Sequence, residues 1–135
     1  MIEIDCATIR KIADDIIILE NKDDFDLELA DAIQINAAYE KLANGSPVYS
    51  ILNTAQSFNS FSREAQEYLA RTAPFVQSNL LAASAIVVTN LPNRLLAKFF
   101  INFYKPAYPI KITSDVKEAE AWLKELKEKK LHQRL

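Results

Sequence analysis

Short apolar runs, several of them rich in β-branched residues, alternate along the chain with longer segments typical of helices. This order limits the fold more than any other feature of the sequence. The runs cover residues 7–12, 16–19, 47–52, 85–89 and 108–112. Branched side chains favour strands, and the run at 16–19 is too short and too branched for a helix. We therefore predict five strands at these positions.

Four segments between or after these runs are predicted helices: 26–44, 63–71, 90–104 and 115–130. Their expected N-caps are Asp24 or Asp26, Ser62, Asn90 or Leu91, and Ser114. Five residues approximate the helical period in the first segment and form its predicted inner face: Leu29, Ala30, Ile33, Ala37 and Leu42. Gly45 follows this segment, at a position that suits a left-handed residue.

Strands that alternate with helices predict a mostly parallel sheet with crossover helices, which is an α/β sandwich. The two opening strands have only a turn at Ala13-Asp14-Asp15 between them, so they add an antiparallel edge. We expect one domain over residues 1–135, with about five strands and four helices.

The scarcity of three residue types excludes several chemistries. The chain has one glycine, one histidine and one cysteine. A phosphate-binding loop needs several clustered glycines, and a His/Cys metal site needs three or four ligands. We therefore expect no catalysis, no cofactor and no metal. The single cysteine and the absence of a signal-like or membrane-spanning run favour the cytoplasm.

Charge is divided unevenly along the chain. Residues 1–40 hold eleven acids and three bases, whereas residues 41–135 hold seven acids and thirteen bases. The two halves either complement each other within the fold or present an acidic and a basic face to different partners. The basic run at 127–134 mixes both signs and has few aromatic residues, so we expect no nucleic-acid contact.

Several segments between residues 50 and 123 resemble a known family. They are Ser50-Ile51-Leu52-Asn53, Phe58-Asn59-Ser60-Phe61-Ser62-Arg63-Glu64-Ala65, Ala85-Ile86-Val87-Val88, residues 94–100 and 105–115, and Ala119-Glu120-Ala121-Trp122-Leu123. With the element order, they resemble the STAS domains, and most closely the small SpoIIAA-like (STAS/Sec14-like) bacterial proteins. The resemblance implies a STAS/SpoIIAA-like sandwich and a regulatory role through protein–protein contacts, as in anti-sigma-factor antagonists.

The regulatory members of that family carry a phosphorylated serine at the start of the helix after the third strand. Asn59-Ser60-Phe61-Ser62 occupies this place here, with Asn where the family has Asp and without the glycine that follows. The candidate switch residues are Ser57, Ser60 and Ser62. A phosphate is favourable at a helix N-terminus, but Ser62 also fits a plain N-cap, with the other two as loop serines.

The segment 94–105 is more apolar than a surface helix requires. Arg94, Lys98, Asn102 and Lys105 fall on one stripe, and the remaining arc of about 240° is apolar. Eight residues form the candidate interaction or ligand surface: Arg94, Leu95, Leu96, Lys98, Phe99, Phe100, Phe103 and Tyr104.

The excess apolar surface has three possible uses. The segment 72–80 or the loop around Phe58 covers it, a second copy or another protein docks on it, or it contacts an anionic membrane or an apolar ligand. We expect a non-catalytic regulatory or interaction module, as a homodimer or with a protein partner. The alternative is a module that binds a small apolar ligand or a membrane surface, as Sec14-like proteins do.

Overall fold

A mixed sheet forms the centre of the computed structural model, which describes residues 1–54 and 60–133. Its six strands within these ranges, in spatial order, are β1 (Ile2–Glu3), β2 (Ala7–Ala13), β3 (Ile16–Asn21), β5 (Val48–Asn53), β7 (Leu81–Val87) and β8 (Ile110–Thr113). The first three are antiparallel, and β3, β5, β7 and β8 are parallel. The predicted α/β class and antiparallel edge are thus confirmed.

Two further strands form a separate parallel pair: β4 (Asp26–Leu27) and β6 (Ser60–Phe61). The sequence predicted a helix and a loop at these positions. The pair links the start of the first helix to the start of the second, because the backbone N–H of Ser62 donates to the carbonyl of Leu27 at 2.9 Å.

Helices cover both faces of the sheet. They are α1 (Leu29–Ala43), α2 (Arg63–Glu67, extended by a π-helical turn Tyr68–Thr72), α3 (Pro74–Gln77), α4 (Leu91–Phe99, extended by a π-helical turn Phe100–Tyr104) and α5 (Val116–Gln133). Ala119 and Leu123 of α5 pack under Ile51 and Ala85 on one face of the sheet. The other face lies under α1 to α4. None of the described helices is long and apolar enough to cross a bilayer.

The predicted start and inner face of the first helix are wrong. Glu28 is the N-cap, and it forms a reciprocal capping box with Asp31. The residues that face inward are Ala32, Ile35, Asn36, Ala38, Tyr39 and Ala43, whereas Ile33 is 49% exposed. The inward stripe was missed because it includes a polar residue: Asn36 accepts a hydrogen bond from the backbone N–H of Phe75 at 2.9 Å.

Other boundaries follow the predictions more closely. Asn90 caps α4, with its Oδ1 accepting from the backbone N–H of Asn93 at 2.9 Å, and Pro92 lies in the first turn. Gly45 follows α1 with φ of 85°, as expected, although Asn44 before it is also left-handed. The strand predicted at 85–89 begins four residues earlier and ends at Val87.

Candidate functional site

A cavity of about 100 Å³ lies between the sheet and the helices α1, α2 and α4. Alternate residues of β5 and β7 form its floor, since side chains on a strand point to opposite faces in turn. Ile35 and Tyr39 of α1 contribute to its walls. The lining residues are Cys6, Leu19, Asn21, Phe25, Leu27, Ile35, Tyr39, Ser50, Leu52, Thr54, Phe61, Leu69, Phe75, Leu81, Ser84, Ile86, Asn93, Leu96, Ala97, Phe100 and Tyr108.

None of the side chains that line this cavity is an acid, a lysine, an arginine or a histidine. The walls are mostly apolar, with a few hydroxyl and amide groups among them. Tyr39 and Ser50 share a hydrogen bond of 2.5 Å between their hydroxyl oxygens. Asn93 donates from Nδ2 to the carbonyl of Thr54 at 2.8 Å, which holds the start of α4 against the end of β5.

A ring stack and a hydrogen bond hold the inner side of α4 in place. Phe100 is 5% exposed, and its ring stacks on that of Phe61 with centroids 5.7 Å apart. Arg71 donates from Nε to the carbonyl of Tyr104 at 3.1 Å. These contacts keep the π-helical end of α4 over the cavity, so Leu96 and Phe100 of the predicted surface face inward rather than outward.

The outer side of α4 carries a stripe of exposed apolar side chains at intervals of four residues. Leu91, Leu95, Phe99 and Phe103 are 65%, 56%, 48% and 65% exposed. We call these four residues the α4 stripe. The rings of Phe99 and Phe103 stack with centroids 5.1 Å apart. Tyr104, which is half-buried, packs edge-on against Phe103 at 4.9 Å.

One of the two proposed covers, the segment 72–80, does not cover the stripe. In the segment 72–80, Phe75 and Val76 are buried in the cluster around α1 and the sheet rather than against the outer side of α4. Phe58 lies outside the described residues. The four side chains of the stripe are exposed in the structure.

Basic residues adjoin the α4 stripe. Arg94 is half-buried, and Lys98 and Lys105 are exposed. None of the three forms an ion pair with the residues that the structure describes. Lys105 ends the helix in a left-handed conformation with φ of 48°. The outer side of α4 thus combines apolar and cationic groups.

The structure describes two of the three candidate switch serines, Ser60 and Ser62. Ser57 lies outside the described residues. Ser60 donates from Oγ to Oδ1 of Asp26 at 3.0 Å, and a phosphate there would meet this carboxylate. Ser62 is the N-cap of α2, with Oγ accepting from the backbone N–H of Ala65 at 3.1 Å. The capping role expected from the sequence is thus present.

Burial raises the pKa of the Cys6 thiol to about 12, with a further contribution from the nearby Asp31 carboxylate. The thiol therefore stays protonated near neutral pH, and only the thiolate is nucleophilic. We expect Cys6 of the folded protein to react with Ellman's reagent at pH 8 about a thousandfold more slowly than after unfolding in guanidinium. Equal rates in the two states would contradict this burial.

Burial also raises the pKa values of Tyr39 and Tyr108 above the ordinary value of 10.0. A raised folded pKa means that the neutral ring stabilises the fold fully below pH 10 and that this contribution is lost as the pH rises further. We expect the unfolding free energy to fall above pH 10 by up to about 1.4 kcal/mol per pH unit from Tyr39 alone. Urea unfolding between pH 8 and 11.5 measures the slope. Y39F should reduce it, and an unchanged slope in that variant would contradict the assignment.

Metal chemistry finds no support in residues 1–54 and 60–133. Within these ranges no three His, Cys, Asp or Glu side chains come together as a group that could hold a metal ion. The acidic residues at 23–31 instead serve local structure, as in the capping box of Glu28 and Asp31.

Comparison with known structures places the fold in a class. The structure resembles the crystal structure of an uncharacterized protein of the DUF3478 family with a SpoIIAA-like fold from Shewanella loihica PV-4. The TM-score is 0.59 at 16% sequence identity, and the match covers 87% of this chain and 91% of that one. The fold is therefore SpoIIAA-like, as the resemblance in the sequence predicted.

The family is defined by sequence. The chain belongs to DUF7793, a domain of unknown function, whose family model matches residues 10–127. A search of curated proteins found no significant match. The comparisons thus define a fold and a family, and the function has to be argued from the site.

The sequence indicated the excess apolar surface of α4 but not the cavity beneath it. One signal for the cavity was present: Ser50 and Ser84 interrupt two apolar strands that the alternating pattern places at the centre of the sheet. Burying a hydroxyl in a strand costs free energy unless it has a hydrogen-bond partner, so such serines indicate a polar contact inside the core.

Proposed function

We propose that this protein is a non-catalytic interaction module that docks a protein partner on the α4 stripe. One observation carries the proposal: Leu91, Leu95, Phe99 and Phe103 form a continuous exposed row on one helix. Contiguous exposed apolar surface in a folded domain marks interaction sites, and aromatic side chains are common anchors of interfaces.

The neighbouring charges favour a partner with an acidic rim. Arg94 and Lys98 lie beside the stripe, and the sequence holds no acid between Glu67 and Asp115. A symmetric pair of α4 helices would bring these cations of two copies together, which opposes a homodimer through this face. A separate protein with acidic residues around an apolar centre fits the surface better.

The lack of catalysis is part of the same proposal. The titratable groups that line the cavity are Cys6, Tyr39 and Tyr108, and burial raises the pKa of each. They stay protonated near neutral pH, so none of them supplies an activated nucleophile or a general base there. This supports a binding role for the cavity.

Photocrosslinking tests the docking surface directly. A benzoylphenylalanine at position 103 should capture a distinct protein in the native host, and the same group at the exposed Glu120 on α5, on the opposite side of the sheet, should not. Light scattering of the pure protein and co-sedimentation with phosphatidylglycerol vesicles complete the test. Crosslinked dimers would mean that a second copy of the chain, and not another protein, docks on the stripe. Vesicle binding would mean that the stripe contacts a membrane. Equal capture at both positions would overturn the proposal.

A second candidate function is binding of a small apolar ligand, and the cavity under α4 favours it. An engineered apolar cavity of about 150 Å³ binds benzene, so a cavity of about 100 Å³ has room for a ligand no larger than benzene. A phospholipid would not fit without a large rearrangement. Native mass spectrometry of the protein from its own host would detect such a ligand, and an apo mass under conditions that preserve a bound probe molecule would count against it.

A further inference from the structure

We propose that the ligand of the cavity is a small neutral molecule with one hydroxyl or carbonyl group, and that the Ser84 hydroxyl is its polar contact. The inference rests on the second candidate function, binding in the cavity, and names the ligand class and the residue that recognises it. It is carried by the position and hydrogen bonding of Ser84, by the chemistry of the walls and by the size of the cavity.

Ser84 lies on the cavity floor. It is 2% exposed and stands in register with Ser50 on the neighbouring strand. The two strands are about 4.8 Å apart, as in any sheet, so the two serines are side by side. The Ser50 hydroxyl already has a hydrogen-bond partner, because its oxygen lies 2.5 Å from the hydroxyl oxygen of Tyr39.

The Ser84 hydroxyl makes no hydrogen bond to another residue in the described part of the chain, although its backbone N–H donates to the carbonyl of Pro109 at 2.9 Å. Buried hydroxyls in proteins almost always have a partner. Ser84 lines the cavity, so its free hydrogen-bonding capacity is directed at whatever fills that space. A ligand oxygen would satisfy it as donor or as acceptor.

The walls determine the rest of the ligand. A charged group inside the cavity would be desolvated without a counter-ion, because none of the lining side chains carries a charge at neutral pH. The apolar side chains Leu52, Ile86 and Leu96 surround the floor and favour a hydrocarbon body. The volume limits this body to roughly five carbon atoms, so that the whole ligand is no larger than benzene.

Three probes of similar size separate these features: cyclopentanol, cyclopentane and cyclopropanecarboxylate. Binding is followed by methyl shifts of Leu52, Ile86 and Leu96 in nuclear magnetic resonance titrations. We expect cyclopentanol to bind more tightly than cyclopentane and the carboxylate not to bind. S84A should weaken cyclopentanol about fivefold, the loss of one hydrogen bond, and leave cyclopentane unchanged. S46A, at an exposed serine, is the matched control.

The outcomes distinguish the ligand class from the cavity function. Equal binding of both neutral probes, or no effect of S84A on cyclopentanol, would overturn the role of Ser84 while leaving the cavity as a binding site. Binding of the carboxylate would overturn the neutral class. If no probe shifts these methyl groups, both the inference and the second candidate function fail. A97L, which fills the cavity from α4, should abolish binding of both neutral probes, and its melting temperature shows whether it folds.

Discussion

The double variant F99D/F103D is expected to lose binding to the protein partner by about a hundredfold or more while keeping its fold. Anchor residues of interfaces each contribute about 2 kcal/mol or more, and the two aspartates also bring negative charge to a rim that should be acidic. Both phenylalanines are about half or more exposed, so the unfolding free energy should change by less than about 1 kcal/mol.

Both the affinity for the partner and the unfolding free energy are measured for each variant. Once the crosslinked partner is identified, titration calorimetry gives its affinity for each variant, and urea unfolding gives the free energy. L131D is the matched control, because Leu131 is a 62% exposed apolar residue on α5, away from the stripe. If L131D weakens binding as much as F99D/F103D, the α4 stripe is not the docking surface.

The order of the elements was predictable because the strand signals are strong and local. The run Ile16-Ile17-Ile18-Leu19 is branched and short, and the structure places all four side chains in the core of β3. Asn90 and Ser62 cap their helices through contacts that span three residues, which a sequence pattern captures. The caps of α1 and α5 also lie within one turn, but they were predicted wrongly: Glu28 caps α1 instead of Asp24 or Asp26.

The start of α5 shows how such an error arises. Ser114 was the expected cap, but Oδ1 of Asp115 accepts from the backbone N–H of Glu118 at 2.7 Å. The carboxylate of Glu118 accepts in turn from the N–H of Ser114 at 3.0 Å. Neighbouring residues of similar capping strength compete, and sequence alone does not decide between them.

The inner face of α1 and the cavity depend on contacts between distant segments. Asn36 faces inward, and its buried side chain accepts a hydrogen bond from the backbone N–H of Phe75, thirty-nine residues away. The α4 surface was predictable in part. Its wide apolar arc predicted two apolar sides, and the structure divides them into Phe100 over the cavity and Phe99 and Phe103 outside. The helix also ends in a π-helical turn at Phe100–Tyr104, where the sequence predicted a continuous helix.

L123A is expected to lower the unfolding free energy by about 3 to 4 kcal/mol. Leu123 is fully buried where α5 crosses the sheet, opposite the face that holds the cavity. Its neighbours there include Ala83, Ala85 and Ala119. Alanine side chains have no rotamers with which to fill the space left by the leucine, so the hole persists and the cost lies in the upper part of the range for such substitutions.

Urea unfolding checks this value, with a lower midpoint and an unchanged slope as the expected result. L131A provides the comparison on the same helix, since the same atoms are removed from a side chain that is 62% exposed, and its effect should stay within about 0.5 kcal/mol. Because α5 contacts the sheet on the face away from α4, L123A at temperatures where it stays folded should bind the partner and the cavity probes as the natural protein does. A loss of binding in folded L123A would mean that the two faces of the sheet are coupled.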